Sequence, residues 1–271
     1  MKDIIINFLQ SHYVWLIAVV AAVVSLASEV GKSILSDLVK DSLISKLPPI
    51  KKIKLWRKLQ QVPKNEYIRI SAAYLLRIRL DNNYLLVKGH RVKKFQPVGG
   101  AFQRYPNASK IINKLGILDD NKIEIDDINR GDLRVRVPAR NVIDFLKWFD
   151  TGKDRETTIE REFREELLKT DILPTDLFEH PKADFLYECL NFHFSTHYQC
   201  RELLVHQVYE IHLNDAQREY LRSTLQHQSS EWIWASEEVI RHLGYEGNHK
   251  LFEIGDHTPL LISKNNNLFT H

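Results

Sequence analysis

The spacing of apolar and polar positions changes several times along the chain, and each change predicts an element. Ile4 to Ser28 contains no Lys, Arg, Asp or Glu, and Val14 to Val24 is unbroken apolar sequence. These 25 uncharged residues are long enough for a bilayer-spanning helix, predicted over about 10–30. Tyr13 and Trp15 sit near one end of it, where aromatic belts lie. Two rival readings are a cleaved signal peptide, with Ser25-Leu26-Ala27 as its small-residue site, and a buried core helix. Ile34, Leu35, Leu38, Val39 and Leu43 continue a helical stripe that Pro48-Pro49 ends. That stripe suits self-association, docking on the rest of the chain, or lying on lipid.

From Tyr67 to Leu80 the residues are β-formers in partial alternation, which predicts a strand. Asp81-Asn82-Asn83 is turn chemistry, and Tyr84 to Val87 is the returning strand of a hairpin. Gln96 to Phe102 carries Gly99-Gly100, where the backbone must bend or admit a neighbour. Further on come an acidic helix at about 155–170 and strands at about 183–194 and 200–213. A short strand follows around Trp232 and Trp234, both read as packing residues, then a helix that Ser236 caps. Strands bracketing helices predict an α/β class, an α+β layered fold in which helices flank a mixed sheet.

Charge sharpens this outline. The 271 residues are 44% hydrophobic with a net charge of +3, enough for a full core and too mild a balance to argue for a nucleic-acid polymer. Lys46 to Lys64, however, holds seven Lys or Arg and no acid. Beside an apolar segment such a block reads as juxtamembrane charge. A solvated helix with Leu55, Trp56 and Leu59 turned inward is the alternative, and both can hold at once. Lys2 alone precedes the apolar span, so the positive-inside rule places the C-terminal part in the cytoplasm, behind a single span. The predicted organisation is a membrane helix with amphipathic extension over 1–47, a basic linker over 48–66, and a domain over 67–271 with an insertion at about 101–151.

Arg161-Glu162-Phe163-Arg164-Glu165-Glu166-Leu167 carries the chemistry. Helical spacing puts Glu162, Glu165 and Glu166 on one face, and Ile159, Phe163 and Leu167 on another. Oxygen ligands gathered in this way suit Mg²⁺, and a solvated acidic helix has the same pattern. Cys189, His193, His197 and Cys200 are spaced for zinc, but the residues around them alternate like strands. The two cysteines read as reduced thiols.

In this order the features resemble the Nudix superfamily: a Gly-Gly strand entry at 96–102, a run from Gly152 to Glu160, and the Arg161–Glu166 core, followed by Ser230-Glu231-Trp232. The resemblance implies that Glu162, Glu165 and Glu166 bind Mg²⁺, that Glu166 is the catalytic base if the chain hydrolyses, and that Arg161 orients a glutamate. Three departures stand out. Lys153 occupies the place of a glutamate, Leu168 that of a glycine, and about fifty residues separate Gly100 from Gly152. One acid fewer and one cation more weaken a Mg²⁺ site, so an enzyme is the less favoured reading.

With the apolar N-terminal segment, the whole resembles the SMODS-associated Nudix family, the membrane effectors encoded beside CD-NTases in bacterial CBASS antiphage operons. That implies a cytoplasmic sensor of a cyclic oligonucleotide that oligomerises and disrupts the inner membrane. The alternatives are a membrane-anchored Mg²⁺-dependent hydrolase of nucleoside diphosphate derivatives, and a Nudix-fold protein-binding scaffold. Phosphodiesters and bases want cations and aromatic faces. Arg77, Arg79, Lys88, Arg91, Phe102 and Arg104 are therefore the candidate ligand contacts, with Arg77 and Arg79 on one strand face.

Overall fold

Strand β1, Tyr67–Arg77, is the spine of the protein. Its even-numbered residues Ile68, Ile70, Ala72, Tyr74 and Leu76 are all fully buried on one face, as strand alternation requires. In the computed structural model, which describes residues 49–89, 92–123, 130–227 and 229–263, β1 lies inside a six-stranded mixed sheet. β9 (Cys200–His212) runs parallel to it along one edge, and β8 (Lys182–Ser195) pairs antiparallel with β9. On the other edge, β7 (Arg134–Pro138) pairs with residues 67–71 and β5 (Val98–Ala101) with residues 73–76. The Phe102 N–H donates to Ala72 O, the Leu133 N–H to Phe102 O and the Ala72 N–H to Leu133 O. Residues 103–132 therefore begin and end at one point of the sheet, and within them β6 (Leu118–Asp119) pairs with β7 as its sixth strand.

The hairpin expected over 67–87 has a different form. β1 ends at Arg77, and the two-residue β2 (Arg79–Leu80) folds back on β3 (Asn83–Lys88) through Asp81, at φ 53°. β3 then joins a second sheet, between β2 and β10 (Trp232–Ser236), with β4 (Phe95–Gln96) also on β3. The physical reason is that Tyr84, Leu85, Leu86 and Val87 are all buried, so this strand has no solvent face. Leu85 and Val87 belong to the main core, whereas Tyr84 and Leu86 join Ile233, Ala235, Val239 and Ile240 in a second core.

Helices cover the main-core face. α3 (Val142–Thr151) buries Val142, Phe145, Leu146 and Phe149. α1 (Pro49–Leu59) is built from the basic block, docked through Leu55 and Leu59, with Val62 just beyond it. Trp56, read as inward, is instead 36% exposed. α2 (Ser109–Leu115) lies in the excursion between β5 and β7. Strands and helices together give the expected mixed α/β class. Among the described residues no helix is long and apolar enough to cross a membrane, and the apolar stretch at 4–28 lies outside them.

Two helix starts show local sequence dictating structure. The Ser236 hydroxyl accepts the Val239 N–H, as the cap reading requires. Asn214 and Gln217 form a reciprocal capping box at α6 (Asp215–Thr224). Asn214→Ala should cost about 1 kcal/mol, a fall of roughly 2–4 °C in melting temperature for a domain of this size. Thermal unfolding measures it, and an unchanged midpoint would count against the box.

Candidate active site

The acidic segment forms a short α-helix, α4 (Glu160–Phe163), that passes directly into a π-helical turn over Arg164–Leu168. Ile159, Phe163 and Leu167 face the core as their spacing requires. The wider π turn also brings Leu168 inward, to 5% exposure. The opposite face leans on β5. Gly99 donates its N–H to Glu166 Oε2 at 2.9 Å, and a Cβ on Gly100 would stand 1.9 Å from Glu162 Oε1. Gly99 itself is at φ +149°, and a Cβ there would meet Tyr74 O at 2.1 Å. The two glycines are what allow carboxylates to approach a strand so closely.

Arg161 organises the site. Its Nε lies 3.1 Å from Glu156 Oε1 and its Nη2 3.1 Å from Glu156 Oε2, a bidentate pair. Nη1 donates to Glu162 Oε1 at 2.6 Å, and Nη2 to Ala101 O at 2.8 Å. Glu165 Oε2 stands 3.6 Å from Nη1. Glu156 is 6% exposed, and its Oε2 also accepts the Gln103 N–H. Beneath it, the buried Arg155 donates to Phe149 O and Glu156 O, with its guanidinium 3.9 Å from the Phe149 ring centre. Burial pushes the Arg155 pKa down.

The remaining carboxyls are held in a poor environment for charge. Burial raises Glu166 to about 8, aided by repulsion from Glu162 and Glu165 and opposed by the Gly99 N–H. Burial also raises Glu162, against the pull of Arg161.

These residues do not fit a preformed Mg²⁺ site. One oxygen of Glu162 is engaged by Arg161 and one of Glu166 by a backbone N–H, while Glu165 lies within ion-pair range of Arg161 and Lys169. Among the described residues no group of three or more His, Cys, Asp or Glu side chains is arranged to hold a metal, which also covers Cys189, His193, His197 and Cys200. Those four lie along the β8–β9 hairpin, where Cys189 opposes His206 and His193 opposes Glu202.

The candidate ligand contacts are dispersed. Phe102 is fully buried between Tyr74 and Phe149, so it has no face for a base. Arg77 pairs with Glu210 and donates to Leu261 O. Arg79 is exposed and bonds only locally, to Asp81 O, among the described residues. The strand is interrupted at Ile78, which puts Arg77 and Arg79 in different sheets, so they share no face. Lys88 ends β3 opposite Phe95, and Arg104 pairs with Asp119 in the excursion. Arg91 lies outside the described residues. Trp234 is buried, donating to Thr224 Oγ1, and Trp232 packs against the main core. Sequence reasoning missed Arg155 and Glu156. Their one signal was an adjacent cation and acid between Gly152 and the box helix.

A strand with Gly-Gly, an acidic helix pressed on it and a half-buried box arginine paired with glutamates now stand together. A profile of the SMODS-associated NUDIX domain matches residues 67–262. The chain belongs to the SMODS-associated NUDIX family. The matched span of this NUDIX domain opens at the first residue of β1 and closes just after the 3₁₀ turn Thr258–Leu261. The basic helix α1 precedes it. No curated protein and no solved structure matches the chain. Within the NUDIX domain, Arg161 has a buried glutamate partner in Glu156, three positions beyond Lys153.

Proposed function

We propose that this chain is a membrane effector of a bacterial CBASS antiphage system. Its NUDIX domain senses a cyclic oligonucleotide made by a CD-NTase, and the N-terminal segment disrupts the inner membrane once the protein has oligomerised. The observation that carries this reading is a family NUDIX domain in which Arg161 holds one oxygen of Glu162 and the Gly99 N–H one oxygen of Glu166, behind 25 uncharged residues. Catalysis would need those oxygens; ligand recognition does not. The N-terminal segment anchors the chain as a single-pass protein with the domain in the cytoplasm. A ligand that binds the assembled state more tightly shifts the population towards it, and the 34–43 stripe supplies an apolar contact between copies.

A second reading, a membrane-anchored Nudix hydrolase of nucleoside diphosphate derivatives, draws on one observation. Glu166 has its pKa raised to about 8, close to where a general base works. One experiment separates the two. With a cognate CD-NTase co-expressed, deleting residues 1–30 should abolish toxicity, and the truncated protein should keep its affinity for the cyclic oligonucleotide in calorimetry. Loss of binding in the truncation would contradict the sensor reading. So would Mg²⁺-dependent release of phosphate or mononucleotide from a substrate panel.

A further inference from the structure

A cavity of about 540 Å³ opens between the end of α1 and the tip of the β8–β9 hairpin, away from the box. Its size is that of small-molecule sites. Lys58 and Gln61 line one side; Phe192, Phe194 and Arg201 line the other. Phe194 is 54% exposed, a large aromatic ring kept out of the core beside two cations. Arg201 donates through Nη1 to Glu66 Oε1 at 2.6 Å. Among the described residues its other guanidinium N–H groups have no partner, and an arginine carries five donors. Lys58 is exposed, as are Lys54, Arg57 and Lys64, and no acid occurs between Lys46 and Asn65. His193, also at the cavity, has a buried Nδ1 without a hydrogen-bond partner.

Two cations for phosphate oxygens, an exposed ring for a planar base, and an amide and an imidazole for its edges make up one set of chemistries. We infer that this cavity binds the nucleotide-type phosphodiester ligand, with its phosphates on Lys58 and Arg201 and a base on Phe194. The inference rests on the sensor reading and deepens it. One side of the site comes from α1, which lies before the family-matched span. A ligand here bridges the NUDIX sheet and the helix that follows the apolar N-terminal segment in the chain. It therefore couples recognition to that segment without passing through the box.

The test uses the full-length chain in a neutral detergent and a panel of cyclic di- and trinucleotides with 3′,5′ and 2′,5′ linkages, with calorimetry as the readout. Lys58→Glu and Phe194→Ala alter exposed side chains and leave the core intact. Each should weaken the panel member that binds wild type by at least tenfold. Lys110→Glu, the same charge change on exposed α2, and Glu166→Gln in the box should bind as wild type. If Lys58→Glu and Phe194→Ala bind as tightly as wild type, this site is overturned and the sensor reading stands. If Glu166→Gln alone loses binding, the ligand belongs to the box and the cavity assignment is again overturned. If wild type binds no panel member, both the site and the sensor reading are overturned.

Discussion

Arg69→Leu is expected to lower the unfolding free energy by about 3–5 kcal/mol, the cost of removing one partner from a buried ionic group. Arg69 is 3% exposed on the β1 face that looks away from the main core. Its Nε donates to Asp120 Oδ2 at 2.9 Å, its Nη1 pairs with Glu202, and the Tyr198 ring centre lies 4.2 Å from its Cζ. Asp120 and Glu202 are themselves 6% and 4% exposed. Leucine would leave two buried carboxylates facing each other with no cation between them. The triad also ties three parts of the chain, since Asp120 follows β6 (Leu118–Asp119) in the excursion, Arg69 lies on β1 and Glu202 on β9. The excursion should therefore become susceptible to protease before the rest. The triple change Arg69→Met, Asp120→Asn, Glu202→Gln removes the charges together and should cost far less than the single change. Denaturant titration of both variants decides it. A single change costing under about 1 kcal/mol would mean that the triad contributes no more than a surface pair.

Arg69 also shows where sequence stops being informative. By strand alternation it belongs to the polar face of β1 and reads as solvated. It is buried because β6, some fifty residues later, folds back over it and the β8–β9 turn brings Tyr198 on top. Phe102 is buried for the same kind of reason. It sits beside Gly-Gly, where a ligand contact is plausible chemistry, yet Phe149 and Tyr74 close on it from distant parts of the chain. The Ile78 break is partly local, since Asp81 takes the left-handed turn, but the choice between pairing with β1 and with β10 depends on a strand 150 residues away. By contrast, β8 and β9 follow from short-range period alone, and the structure places them within a few residues of where the pattern does. The helix expected over 155–170 spans only 160–168, because Arg155 and Glu156 bridge to Arg104 and Gln103 instead. The box glutamates were visible as a face. That the Gly99 N–H faces Glu166, and that Arg161 also holds the buried Glu156, was not, because spacing along a helix says nothing about what lies against it.

Glu166→Gln should raise stability at pH 8 by an amount on the order of 2–4 kcal/mol and leave it nearly unchanged at pH 4. In the folded protein the Glu166 carboxyl titrates at about 8, against an ordinary 4.5, chiefly through burial. Below 4.5 both folded and unfolded chains hold the proton, so ionisation does not affect stability. Between 4.5 and 8 the folded chain retains a proton that the unfolded chain has released, and stability falls as pH rises. Above 8 both forms are ionised and the penalty is constant. Glutamine has no charge to bury and keeps an oxygen for the Gly99 N–H, so the variant should lose this fall in stability through that window. Denaturant midpoints from pH 4 to 9 at fixed ionic strength give the two curves, and parallel curves would contradict the assignment. Millimolar Mg²⁺ adds a second comparison at pH 8. A metal that binds only the folded state must stabilise it by mass action. With its carboxylates already engaged by Arg161 and Gly99, wild type should show no more stabilisation than Glu166→Gln. Mg²⁺ stabilising wild type alone would mean that these glutamates rearrange around a cation, and would move the balance towards hydrolysis.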